Sequence, residues 1–189
     1  MRTIRTKVFT FNELNENAIE VAVKQFSEIN TNWNWHENTL SEFVAELNEK
    51  GFEDAEIFFS GFYSQGDGLC FDAKVNISHF AETVNEKRIV KLIEANWIEN
   101  VEIEKTSNSN HYSHEKTRYI TAYLNGYTNI DKVYTEFIEK IEATRLQLCK
   151  DFYKILANEY EYLCSSEAIA ETIIANDYEF TIEGKLFNS

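Results

Sequence analysis

Three of the chain's six glycines, Gly61, Gly66 and Gly68, fall within the stretch Phe-Phe-Ser-Gly-Phe-Tyr-Ser-Gln-Gly-Asp-Gly-Leu-Cys-Phe at 58–71. Glycine reaches backbone angles that other residues adopt only against steric resistance. Gly66-Asp67-Gly68 between two aromatic runs therefore predicts a tight hairpin turn with Gln65 and Asp67 at its tip. Asp67 offers a carboxylate with little shielding, Gln65 a donor and an acceptor, and Tyr63 a hydroxyl on an aromatic plate. Such a tip suits a partner's backbone or a small polar ligand, or an aspartate bonded to its own turn. It is not a phosphate loop, because the Lys-Ser/Thr and the following helix are missing.

A second constellation is His111-Tyr112-Ser113-His114-Glu115. Histidines three apart share a face on a helix but not on a strand, and this segment reads as loop entering strand. The His-Glu-x-x-His order of zinc proteases is absent, so neither a metal nor a cofactor is expected. Trp33 and Trp35 flank Asn34 beside His36, a pattern that suits either a contact patch or the cover of a core end. Cys70 sits in an aromatic strand and reads as a small buried hydrophobe rather than a thiolate. Ser60 lacks the Gly-x-Ser-x-Gly setting of a hydrolase nucleophile. Nucleophilic catalysis thus finds little support.

Composition narrows the classes further. The 189 residues carry a net charge of −14, with 43% apolar and 14% aromatic residues and no proline. That is a folded chain, and its charge disfavours direct binding to nucleic-acid phosphates or anionic membranes. An acidic surface either keeps the chain soluble or docks a basic partner. Cys70, Cys149 and Cys164 are too few and too scattered for a disulfide framework. With no secretory leader and no long apolar run, the expected setting is the cytoplasm.

The elements that must position these residues follow from periodicity. Residues 2–11 read as a strand and Asn15 as the cap of a following helix, with Ile19, Ala22, Val23 and Phe26 on one face. Leu40, Phe43, Val44 and Leu47 mark a helix over 38–49 that Gly51 ends. Strands follow at 54–64 and 69–77, then a helix over 79–98 interrupted near Asn85. Val101-Glu-Ile-Glu-Lys alternates as a strand with one solvated face, 107–113 reads as a loop, and 114–124 as another strand. From Ile130 a long helix carries the apolar stripe Ile130, Val133, Phe137, Ile141, Leu148, Phe152 and Ile155. A helix over 166–176 starts at Ser165 or Ser166, and Tyr178–Ile182 reads as a last strand. The expectation is a single α+β domain over 1–189, an antiparallel sheet packed against helices that include the long C-terminal one.

The opening Val-Phe-Thr-Phe-Asn-Glu-Leu-Asn-Glu-Asn-Ala, the block Phe-Ser-Gly-Phe-Tyr-Ser-Gln-Gly-Asp-Gly, His111-Tyr-Ser-His114 and the tail from Glu-Tyr-Glu-Tyr-Leu-Cys-Ser-Ser through Asn-Asp-Tyr-Glu-Phe-Thr occur here in order. Together they resemble a widespread family of uncharacterised phage and prophage proteins, some labelled antitoxin-like. The resemblance implies a protein made in a bacterial cytoplasm and carries no catalytic residues with it. Leu69-Cys70 after the Gly-Asp-Gly, and Asn34 and Glu37 around Trp35, depart from the pattern. The leading expectation is a phage accessory protein that binds and inhibits a basic bacterial host or defence protein, as anti-CRISPR proteins do. One alternative is a small-molecule, nucleotide or metal-dependent protein built from Tyr63, Gln65, Asp67, His111 and His114, with Lys74, Lys116 and Arg118 as the nearby cations. Another is an antitoxin.

Overall fold

Asn15 begins the first regular element: its side-chain oxygen accepts the Ala18 amide at 3.1 Å, so the chain enters a helix at Glu16. In this computed structural model, which describes residues 6–94, 98–105, 113–124 and 131–187, the elements run in the following order. They are β1 (Phe9–Thr10), α1 (Glu16–Gln25), α2 (Glu37–Glu49), β2 (Phe52–Phe59), β3 (Leu69–Val75), α3 (Ile77–Thr83), α4 (Lys87–Glu94), β4 (Ile98–Lys105), β5 (Arg118–Leu124), α5 (Asp131–Leu163), α6 (Ser166–Ala175) and β6 (Glu179–Phe180). The α+β class, the antiparallel sheet and the long helix match the expectation from sequence. The contacts divide the chain into two compact units, residues 1–36 with 158–189, and residues 37–157.

The smaller unit pairs β1 with β6 and packs α1 and α6 around Phe11, Ala22, Ile169, Ile173 and Phe180. Ser165 caps α6 by accepting the Ala168 amide at 3.2 Å. Buried Asn30 is satisfied on both sides, donating to the Leu163 carbonyl at 3.0 Å and accepting from the Thr172 hydroxyl at 2.7 Å. Gly184, at φ +79°, lies so close to α1 that a Cβ there would stand 2.0 Å from the Ala18 carbonyl oxygen. Of the strand expected over 2–11, residues 2–5 lie outside the described residues. Among the described ones it pairs at Phe9 and Thr10, because Glu13 accepts both the amide and the hydroxyl of Thr10 and turns the chain into a 3-10 turn at Phe11. The last strand is likewise shorter than expected, and Ile182 lies exposed beyond it.

The larger unit is a four-stranded antiparallel meander in the order β2-β3-β4-β5. Its sequence alternates because one face is a core and the other is wet. Leu69, Phe71, Ala73 and Val75 of β3, with Val101 and Ile103 of β4, are buried, whereas Lys74 is exposed and Asp72, Glu102 and Glu104 remain half-buried. Phe52 meets both Phe71 of β3 and Phe80 of α3, and Phe80 in turn meets Phe137 of α5. Phe43 of α2 stacks on Phe152 at 4.1 Å. Asn85, at φ +52°, separates α3 from α4, at the interruption expected there.

Two expectations are corrected here. The buried stripe of α5 runs Phe137, Ile141, Arg145, Leu148, Phe152 and Leu156, while Ile155 is 49% exposed and Ile130 lies outside the described residues. These positions keep the 3.6-residue period better than the sequence-derived stripe, which stepped over a charged residue. The connection from β2 to β3 is also no tight two-residue turn. It spans 60–68, with Gly61 at φ +117° and Gly66 at φ +103°, because the Asp67 side chain holds an open loop together instead.

Candidate functional site

In the 60–68 loop one oxygen of the Asp67 carboxylate accepts the amides of Tyr63 at 2.9 Å and Ser64 at 2.7 Å, and the Asp67 amide donates to the Ser64 carbonyl. Tyr153 on α5 donates its hydroxyl to the Gly61 carbonyl at 3.0 Å, and Phe62 lies against the same ring. The loop is thus tied to α5 at one end and to its own aspartate at the other. Tyr63 projects outward at 80% exposure, and Gln65 is exposed. Gly68 abuts His114, whose Cδ2 would lie 3.0 Å from a Cβ at 68, and Ser60 donates to the Ser113 carbonyl at 3.5 Å. The structure therefore brings the glycine block beside 113–114. His111 and Tyr112 lie outside the described residues, as does most of the loop expected over 107–113.

His114 starts a 3-10 turn over 115–117, with its Nδ1 placed 3.2 Å from the Lys116 amide and 3.0 Å from Glu115 Oε2. Among the described residues no group of three or more His, Cys, Asp and Glu is arranged to hold a metal ion. Trp33 and Trp35 belong to the smaller unit. Trp33 is 61% exposed, whereas Trp35 is buried against Tyr160 at 5.5 Å and His36 at 5.3 Å.

The larger concentration of chemistry lies on the open face of the sheet. The registers Glu56↔Asp72, Lys74↔Glu102 and Glu104↔Tyr119 set side chains from four strands on one surface. There Asp54, Glu56, Asp72, Glu102 and Glu104 line a shallow groove of about 220 Å³ with Lys74 and Ile103 among them. Two cations, Lys74 and Arg118, are already engaged by the groove's carboxylates. Lys74 bonds Asp54 at 2.8 Å, which holds its ammonium above the usual lysine range, and Arg118 bonds Asp72 while stacking 5.0 Å over Phe58. Glu104 accepts from the Thr121 hydroxyl at 3.1 Å and the Tyr119 hydroxyl at 3.4 Å, and Glu102 from the Asn100 amide at 2.6 Å. Tyr119 and Tyr123 stand 47% and 51% exposed along β5. The surface is fixed, negative and edged by aromatic rings.

Beneath it, at the start of β5, is a buried polar cluster that sequence reasoning missed. Arg145 is 1% exposed, grips Glu142 through Nε and a second nitrogen at 2.7 Å each, and donates to the Glu115 carbonyl at 2.8 Å. Thr117 donates its hydroxyl to the His114 carbonyl at 2.7 Å and lies 3.7 Å from Cys70 Sγ. Burial pushes the Cys70 thiol up, and pushes Cys149 up to about 12. Both therefore stay as thiols and pack as hydrophobes, as expected of Cys70. The cluster fixes the 113–117 turn to α5, and so positions the start of β5.

The residues that build this surface all lie within 35–166, which matches the family described as Domain of unknown function (DUF8835). The chain belongs to that family. The match takes in more than half of the chain, including the whole of the larger unit. No curated protein and no solved structure matches the chain. Among the described residues no helix is long and apolar enough to cross a membrane.

Proposed function

We propose that this protein works by binding, and that the acidic sheet face docks a basic macromolecule, in the role expected of a phage-encoded accessory protein that inhibits a bacterial host or defence protein. The observation that carries the reading is the gathering of five carboxylates in one groove, with its one lysine already bonded to Asp54. Charge spread evenly for solubility alone does not collect on one sheet face while the groove's own lysine is tied up. A fixed negative surface speeds encounter with a positive partner and rejects negative ones. The exposed rings of Tyr119 and Tyr123 add contact area and a seat for cationic groups. An antitoxin would be one member of this same binding class.

The test is capture from bacterial lysate at low and moderate salt, with wild type beside a Glu56→Gln/Glu102→Gln/Glu104→Gln variant. The reading expects basic bacterial proteins that wild type retains, that salt weakens and that the variant loses. Recovery of nothing at either salt, or equal recovery by both proteins, overturns it.

A second reading is favoured by one observation, the contact of Gly68 with His114, which sets the 60–68 loop beside 113–114. Under it, Tyr63, Gln65 and His114 recognise a small polar ligand such as a nucleotide. Thermal-shift screening with nucleotides and divalent metals tests this, and the absence of any shift at millimolar ligand would remove its support.

A further inference from the structure

The two edges of the larger sheet are built differently. Edge strands expose unpaired backbone groups, and proteins blunt them with bulges, charges or a covering element. β2 has all three: an irregular register between Glu53 and Glu56 with Asp54 at φ +53°, exposed Glu53, Asp54 and Glu56, and α2 packed along it. Among the described residues β5 has no charge and no covering helix beyond its first residue, and the one irregularity in its pairing, between Ile98 and Asn100, puts the extra residue on β4. Arg118 is buried against Asp72, and Tyr119-Ile-Thr-Ala-Tyr-Leu124 carries no charge and no proline. Its pairing with β4 is regular from Asn100↔Tyr123 to Lys105↔Arg118. Among the described residues, β5 is paired as a strand with β4 alone.

We propose that β5 is the docking edge of this protein and that its occupant is an extended segment, with basic and apolar residues in alternation, that adds a fifth strand to the sheet. This rests on the binding role of the acidic face and names the form in which the partner arrives. A strand beside β5 turns alternate side chains to opposite faces of the sheet. One set falls on the wet face beside Tyr119 and Tyr123, next to Glu102 and Glu104, where lysine or arginine meets carboxylate and ring together. The other set continues the row Ala73–Ile103–Ile120, whose last member is only half-buried, and there an apolar residue extends the core. Backbone hydrogen bonds supply a register that a charged surface alone lacks. A second copy of this chain is a poor occupant: it brings the same carboxylates to the shared face, within a net charge of −14 on each copy.

The probe is a fluorescein-labelled peptide of alternating lysine and valine, matched to β5 in length, titrated by anisotropy into the full chain at low salt. Two further peptides carry N-methyl groups, one on every lysine nitrogen and the other on every valine nitrogen. In a strand the amides of alternate residues point to the same edge, so only one of these sets faces β5. The expected result is that one methylated peptide binds at least about tenfold more weakly than the parent, while the other stays within about threefold of it. Hydrogen exchange should show new protection on the amides of 119–124 with the parent peptide. If the two methylated peptides bind alike, strand addition is wrong although the acidic face still binds charge. If the parent peptide itself does not bind, the acidic-face reading fails with it.

Discussion

Replacing Arg145 by alanine should destabilise the larger unit by about 3–6 kcal/mol, and the structure shows from where. The substitution strips two buried methylenes from a side chain that is 1% exposed, about 0.8 kcal/mol each. It leaves the Glu115 carbonyl, now bonded at 2.8 Å, without its donor, which costs about 1–3 kcal/mol. The Glu142 carboxylate contributes little, because its side chain is 39% exposed and water can replace the guanidinium, a loss of about 0–1 kcal/mol. Arg145→Met keeps the apolar stem but also leaves the Glu115 carbonyl without its donor, so it should lose about 1–3 kcal/mol, less than alanine by the methylenes it retains. Urea unfolding followed by circular dichroism measures both variants. The alanine variant should also melt roughly 6–24 °C lower. An alanine variant within about 1 kcal/mol of wild type, or a methionine variant worse than alanine, would refute the assignment of Arg145 as the tie between α5 and the 113–117 turn.

Three further outcomes follow from the packing and the charges. Glu86, held by Arg88 at 2.8 Å and Lys140 at 2.6 Å, has its carboxyl well below its ordinary value near 4.5, so it stabilises the fold above that value and the contribution fades as acid reaches its folded value. Melting temperatures from pH 7 down to pH 3 should fall less steeply in Glu86→Gln than in wild type, and identical slopes would contradict the ion network. Gly184→Ala places a Cβ against the Ala18 carbonyl at an unfavourable φ and should lower the melting temperature of the smaller unit, whereas an unchanged temperature would show that close approach to be relieved without loss. Cys164 is partly exposed while Cys70 and Cys149 are buried, so maleimide labelling of the native protein followed by mass mapping should modify Cys164 first. Early modification of Cys149 would contradict its burial.

Much of the fold was legible where one residue decides a local structure. Asn15 and Ser165 cap helices because their side chains reach an amide three residues on, and Gly51 ends α2 at φ +86°. Alternation in Val101-Glu-Ile-Glu announced both a strand and its wet face. Harder to read were features that depend on partners distant in sequence. The glycine block suggested a tight turn, but the Asp67 carboxylate, bonding Tyr63 and Ser64, organises a longer loop. The expected stripe of α5 passed from Ile141 to Leu148 without Arg145, whose burial depends on a bond to the Glu115 carbonyl thirty residues away as well as on its neighbour Glu142. The acidic groove was half visible: Glu102 and Glu104 are paired by their own strand, but their union with Glu56 and Asp72 is set by the registers of β2, β3 and β4.

The claim that binding resides on one face, rather than in total charge, is tested most directly by two variants of equal charge. One carries Glu56→Gln, Glu102→Gln and Glu104→Gln on the sheet; the other carries Glu16→Gln, Glu20→Gln and Glu28→Gln, three exposed positions of the smaller unit. Affinity for the alternating lysine and valine peptide should fall at least about tenfold in the first and less than about threefold in the second. Equal losses in the two would contradict a localised acidic docking face.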